Sequence, residues 1–295
     1  MVRGDIGGEL ISTKVGELSV QRVGSGPAVL LWHSMMVDRT QWSRITADLA
    51  ADHLLILIDG PGHGHSGTPP QHYTLEDCAD ATVTVLDALG IDAVDWVGNA
   101  WGGHVGLVFA DRYPDRCRSL VAIGTPTVPL ARKERVETRV LAMLYRRLGP
   151  SKLLRNAICD TLVSRGSRRT DPQGRQLVAD GFARADREGM HRSILAMMLH
   201  RPDLGSRLAG IDVPTLVMTG RSDKLWPPTL AELSAAALPH GSCLVIEDAT
   251  RLPPLERPAE VLTQLRAFWA RTGRTPADPE PAVKPVPALV TDQHA

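Results

Sequence analysis

A chain of 295 residues, 43% of them hydrophobic, is long enough for one large domain or two small ones and for a sizeable buried core. Its 33 basic and 33 acidic side chains exclude recognition of nucleic acid or an anionic membrane through overall charge alone, leaving only local patches. Aromatics are 4%, so the core must rest mainly on Leu, Val, Ile, Ala and Met. Cys78, Cys117, Cys159 and Cys243 are scattered without CxxC spacing. They point to no zinc site and no disulfide framework, and they fit small buried hydrophobes in a reducing compartment. The first residues show no apolar leader, and no stretch approaches the ~18–20 apolar residues of a membrane span. A cytoplasmic protein is the expectation.

In chain order, alternating segments near 9–14 and 18–23 read as a hairpin, followed by the turn Gly24-Ser25-Gly26-Pro27. Ala28–Trp32 and Leu54–Ile58 are continuous apolar runs, the mark of strands buried on both faces. Helical spacing lies between them, over 41–51. A helix is expected over 75–89, stopped by Gly90, then a strand at 94–97, a helix at 103–112 and a strand at 120–123. The alternation resumes after Pro214 with strand 215–218, helix 230–238, strand 243–246 and helix 259–270. This order predicts a mostly parallel sheet with helices on both faces.

The interval 126–208 breaks the rhythm and reads as a helical insertion. It carries 17 Lys and Arg against 8 Asp and Glu, near +9. A solvated surface explains such a charge, and so does recognition of an acidic ligand, an acyl carrier or an anionic partner. Leu141, Met143, Leu144, Met190, Leu195, Met197 and Met198 offer an apolar underside that would roof a pocket, or ordinary packing between the inserted helices. Beyond Arg271, the prolines at 276, 279, 281, 285 and 287 predict a disordered tail over 271–295.

Sites in parallel α/β sheets form at the carboxyl ends of strands. Five clusters sit at such ends: Trp32-His33-Ser34-Met35-Met36, the 59–66 loop from Asp59 to Ser66, Gly98-Asn99-Ala100-Trp101-Gly102-Gly103, Gly220-Arg221-Ser222-Asp223, and the 248–258 stretch containing Thr250-Arg251-Leu252-Pro253-Pro254. In this order they resemble the α/β-hydrolase superfamily, in its lineage of small-molecule hydrolases with a helical cap after the sixth strand. The resemblance spans about residues 10–270. It implies a core over 1–125 and 209–270 and a cap over 126–208.

In that family the strand–turn–helix elbow reads G-x-nucleophile-x-G. Gly98 and Gly102 match its glycines, but the nucleophile position is Ala100, whose methyl group cannot attack an ester or epoxide. Asp223 matches the family's acid. The family's histidine position is occupied by Arg251, which keeps its proton at ordinary pH and cannot act as a general base. The resemblance also implies an oxyanion hole from the N–H groups of Trp101 and Met35, with Ser34 beside it where the family has glycine. These turns also have a purely structural reading.

Asp223 and Arg251 are expected to pair, either as a structural salt bridge or as a fixed charge that holds an anionic ligand. His33, His63, His65 and His104 read as structural, and Asp59 as the anchor of its loop. Gly62-His63-Gly64-His65-Ser66-Gly67 matches a dinucleotide fingerprint letter for letter, but Thr68-Pro69-Pro70 follows where a helix would have to start. Neither a metal ion nor a cofactor is called for.

Three functions fit. The first is a family member without Ser-His-Asp hydrolysis that binds a small apolar or acidic ligand in a capped pocket. The second is a lyase, isomerase or cyclase using the oxyanion-hole pocket. The third is an ester or epoxide hydrolase whose triad was altered by mutation. The expected partner is a small molecule, anionic or acyl. Nucleic acid and a membrane span are not expected, and a homodimer is left open.

Overall fold

The computed structural model describes residues 8–273. The segment expected to be a disordered tail lies outside these residues from 274 onward. Eight strands form one sheet: β1 (Glu9–Thr13), β2 (Gly16–Val23), β3 (Ala28–Trp32), β4 (Leu54–Ile58), β5 (Val94–Asn99), β6 (Cys117–Ile123), β7 (Thr215–Gly220) and β8 (Gly241–Ile246). Their spatial order is β1-β2-β4-β3-β5-β6-β7-β8. β1 and β2 form the antiparallel hairpin, β2 runs antiparallel to β4, and every later pairing is parallel.

The apolar runs follow from this arrangement. Leu30 and Trp32 of β3 face one apolar layer, and Val29 and Leu31 face the other. Each layer is closed by helices: α2 (Leu75–Leu89) and α3 (Trp101–Arg112) on the first face, α1 (Ser43–Leu49) and α11 (Pro258–Arg271) on the second. Because both faces are buried, polar alternation along the central strands would leave polar groups without water. α2 starts on a capping box, Thr74 with Asp77, and stops at Gly90 with φ 68°, as such a signal dictates. The expected helix over 41–51 is shorter. A 3₁₀ turn, Arg39–Trp42, precedes α1, because the Asp38 side chain accepts from Thr40 N and tightens the entry.

Between β6 and β7 the chain forms α4 (Arg132–Leu148), α5 (Lys152–Leu162), α6 (Arg165–Thr170), α7 (Pro172–Arg184), α8 (Arg187–Ser193) and a π-helical turn, Ile194–Leu199. These helices are tied to the core by specific polar contacts. Arg44 bonds both Asp171 carboxylate oxygens at 2.6 Å. Arg184 Nε donates to Asp38 Oδ2 at 2.7 Å, and Tyr73 OH donates to Ser193 Oγ at 2.7 Å. Met190 and Met197 are buried in the main apolar layer. Met143 departs from the expected underside: it is exposed, on the outer side of α4. The last helices after β7 are α9 (Pro228–Ala236) and α10 (Pro253–Glu256), ahead of α11.

The 62–67 loop opens no helix, and the next helix begins at Leu75. Asp59 anchors this loop as expected. Its carboxylate accepts from Arg39 N at 2.9 Å, Arg39 Nη1 at 3.0 Å and His65 N at 3.0 Å. All four cysteines are free thiols; Cys243 is half-buried and the others are buried.

Candidate active site at the strand ends

β5 runs into α3 through a single residue, Ala100, at φ 48° and ψ −102°. L-residues rarely adopt a positive φ, and the cost is met only where surrounding contacts over-determine the turn. Here backbone packing imposes it. A Cβ on Gly102 would lie 2.0 Å from the Trp32 carbonyl oxygen, and one on Gly98 would lie 2.1 Å from the Gly102 oxygen. The turn therefore does not depend on the residue at its apex. Gly102→Ala must push the β3 and α3 backbones apart. It is expected to cost about 3 kcal/mol or more; a urea melt showing a loss under about 1 kcal/mol would contradict the close approach.

Ala100 is 8% exposed. Its N–H donates to the Ile123 carbonyl at 2.7 Å. The Trp101 side chain is buried against Trp32, His33 and His63, with ring centroids 5.6, 5.6 and 4.9 Å away. Only its backbone faces the site. Ser34 N donates to Gln41 Oε1 at 2.9 Å, Met36 N to His63 Nε2 at 3.3 Å, and Gly102 N to the His33 carbonyl at 3.2 Å. Among the described residues, Met35 N and Trp101 N alone of this group have no acceptor. Two free amides beside a strained apex are the raw material of an oxyanion cradle.

Asp223 and Arg251 meet as expected. Arg251 Nη1 donates to Asp223 Oδ2 at 2.9 Å, with side-chain exposures of 11% and 2%. The contact is a single bond, not a fork. Asp223 Oδ1 is taken by Leu225 N at 2.9 Å and Trp226 N at 3.1 Å. The Arg251 carbonyl accepts from Asn99 Nδ2 at 3.0 Å, which ties the 251 loop to the elbow strand. Gln41 Nε2 completes the chain by donating to Asn99 Oδ1 at 3.2 Å.

The charge of Arg251 is felt by a second arginine. Arg201, from the segment after α8, donates through Nη2 to the Val128 carbonyl, while its buried Nε has no partner. Burial and the Arg251 charge push it down to about 10. His104 accompanies them: its ring bonds the Pro126 carbonyl through Nε2 at 2.8 Å, and Nδ1 is buried without a partner. Burial, then the charge of Arg201, hold His104 well below the usual histidine range. Spacing and motif single out neither Arg201 nor Gln41 and place Asn99 in the elbow cluster without a role, because these contacts exist only after folding.

A polar cleft of about 1240 Å³ opens where Asp223 and Arg251 meet α5 and α6. Lys224, Thr250, Ser164 and Arg257 also line it, whereas Ala100, Ser34, Met35 and Trp101 do not. Glu256, at its edge, accepts from Ser164 N at 2.8 Å and from Thr250 N at 2.8 Å. The cleft thus reaches Arg251 without being lined by the elbow residues.

Residues 27–258 match the family model for the alpha/beta hydrolase fold. A 2-hydroxy-6-oxononadienedioate/2-hydroxy-6-oxononatrienedioate hydrolase of Paraburkholderia phymatum is 31% identical over 212 residues, covering 69% of this chain and 70% of that protein. A 2-hydroxymuconate semialdehyde hydrolase of a Pseudomonas species is 30% identical over 255 residues, covering 79% and 82%. Among solved structures, a thermophilic esterase from Thermogutta terrifontis with malate bound aligns with a TM-score of 0.83 and 29% identity, over 90% of this chain and 98% of that one.

Proposed function

Because this chain belongs to the alpha/beta hydrolase fold family, we propose that it has left acyl-enzyme hydrolysis and binds a small acidic ligand at Arg251, beneath a cap formed by 126–208. The observation that carries this reading is the Arg251–Asp223 bond. In a working triad the acid orients a neutral histidine, which then takes the nucleophile's proton. Here the acid holds a guanidinium that cannot take up a proton, and the apex at Ala100 has no nucleophile.

The cleft as a whole is balanced in sign, with Arg44, Lys224, Arg251 and Arg257 against Asp160, Asp171, Asp223, Asp248 and Glu256, so the case for an anion is local to Arg251. Asp223 engages Arg251 through one oxygen only, and Arg201 adds a second cation close enough to be depressed by the first. Lys224 adds another at the cleft. The names of two relatives support an acidic ligand: one acts on dioates, and the esterase structure holds malate.

A serine-directed phosphonate and a generic ester substrate test the first half; neither labelling nor turnover is expected, and stoichiometric labelling at any residue of the site sinks the reading. Native mass spectrometry of the purified protein should reveal a retained acid. Titration with malate should show binding that Arg251→Gln weakens about 10-fold or more, the worth of a charge-assisted bond. Equal affinity in that variant would remove Arg251 from the ligand site.

The free N–H groups of Met35 and Trp101 support a second reading. A lyase, isomerase or cyclase needs a developing oxyanion stabilised but no nucleophile. Conversion of the retained ligand by the purified protein, without hydrolysis, distinguishes it from pure binding.

A further inference from the structure

Helix α4 is apolar on two opposite sides. Thr138, Ala142 and Tyr145 are buried. Opposite them, Val136, Val140 and Met143 are 53%, 45% and 52% exposed. Their spacing of four and three residues aligns them in one stripe along the helix. Two more exposed apolar side chains lie nearby in sequence, Leu148 at the end of α4 (50%) and Leu153 at the start of α5 (69%).

The surroundings of this stripe are strongly cationic. Residues 132–155 hold eight Lys and Arg against two acidic residues. Beside the stripe lies a groove of about 480 Å³, lined by Arg139, Arg146, Arg147 and His191 over Met143 and Leu195, with no carboxylate in its lining. Among the described residues, none of these three guanidiniums forms an ion pair. Several arginines outside the groove are matched by carboxylates: Arg44 by Asp171, Arg184 by Asp38, Arg207 by Glu76 and Asp111. The groove gathers three unmatched guanidiniums in one place.

We propose that the outer face of α4 and its turn into α5 dock the protein on an anionic lipid surface, with lipid phosphates taken by the arginines of the groove. A lipid interface satisfies both halves of the surface at once. Val136, Val140, Met143 and Leu153 enter the boundary between headgroups and acyl chains, while the flanking arginines reach phosphates. A second copy seated on the same patch would bring two sets of unmatched guanidiniums together. An acidic helix would need an apolar groove to receive its side chains, whereas the apolar stripe here is one helix wide and the groove beside it is cationic. The neutral net charge of the whole chain does not oppose this docking, because the attraction falls off within about 10 Å of each charge at ordinary salt.

The test uses the full chain, sedimented with phosphatidylcholine vesicles with and without phosphatidylglycerol. Binding is expected only with phosphatidylglycerol, declining as salt rises. Met143→Glu and the pair Arg146→Gln with Arg147→Gln should each weaken it about 10-fold or more. Thermal melts of these variants should match the parent, since all three side chains lie on the exposed face. No binding to either vesicle, equal binding to both, or binding unchanged in the variants overturns the proposal. So does concentration-dependent dimerisation in analytical ultracentrifugation that Met143→Glu abolishes, or salt-sensitive capture by polyglutamate without vesicle binding. These outcomes leave the ligand reading at Arg251 untouched, because no residue of this face lines the cleft there.

Discussion

Ala100→Ser combined with Arg251→His is expected to produce an esterase that a serine-directed phosphonate labels once, at position 100. The groups around the two positions are already held by the fold. The apex holds the strained φ of 48° through the backbone packing of Gly98 and Gly102, so a hydroxyl added at position 100 inherits that geometry. The amides of Met35 and Trp101 have no acceptor among the described residues. Asp223 is fixed by two backbone amides on Oδ1, which leaves Oδ2 directed at position 251 to hold an imidazole N–H. Asn99 ties the 251 backbone to the elbow. Each single change should do little, since a serine without a base is a poor nucleophile and a histidine without a nucleophile has nothing to activate. General-base assistance contributes typically ~10²–10⁴-fold, so kcat/KM for a p-nitrophenyl ester should exceed that of either single variant by about 100-fold or more. A double variant no faster than Ala100→Ser alone would mean that the Asp223 carboxylate or the amide cradle is also unfit for acyl transfer. In that case the site has been rebuilt rather than merely deprived of two groups.

The core was legible in the sequence because its constraints are local or periodic. An apolar run such as Ala28–Trp32 has one stable placement in a sheet covered on both faces. Gly98 and Gly102 around Ala100 specify a turn that larger residues could not make. The Asp223–Arg251 bond was legible as well, since the resemblance implied that the two positions match those of the family's acid and histidine. What stayed hidden depends on which surfaces meet. Periodicity places Met143 on a stripe with Val136 and Val140, but it does not say whether that stripe or the one through Ala142 and Tyr145 finds a partner; the structure buries the latter. Nor does spacing bring Arg201 to Arg251, or Arg44 to Asp171 across 127 positions. That the large cleft is lined by residues of α5, α6 and the 251 loop and not by Ala100 is likewise encoded by no motif.

Stability is expected to fall steeply as pH drops from about 6.5 toward 4, through histidines that the fold holds neutral. His33 donates through Nδ1 to the Ser34 carbonyl at 2.7 Å, and its Nε2 accepts from Gly60 N at 2.8 Å. His63 donates through Nδ1 to the Pro61 carbonyl at 2.9 Å and accepts from Met36 N through Nε2 at 3.3 Å. A proton on either Nε2 would place two donors face to face. Burial pushes His33 down to about 4, and burial followed by the charge of His33 pushes His63 down to about 3. In the unfolded chain both titrate near about 6.5. Their contribution is therefore fully present above the unfolded value and is lost as pH falls toward the folded values, because the unfolded state binds protons that the native state refuses. The loss is about 1.4 kcal/mol per pH unit for each ring, on the order of 3 kcal/mol for His33 alone by pH 4. Asp59 works in the opposite sense: burial raises its carboxyl, so its protonation on acidification returns part of the loss. Against a typical total of about 5–15 kcal/mol the net effect is large. Urea midpoints should drop across this window, with a shallower slope in His33→Asn. A flat profile between pH 6.5 and 4.5 would show that these rings are free to charge in the folded state. The same two rings accept from Gly60 N and from Met36 N, the neighbour of the free amide of Met35. Acid should therefore loosen that turn before it unfolds the sheet, and any ligand held by the Met35 amide should be released at a pH above the unfolding transition.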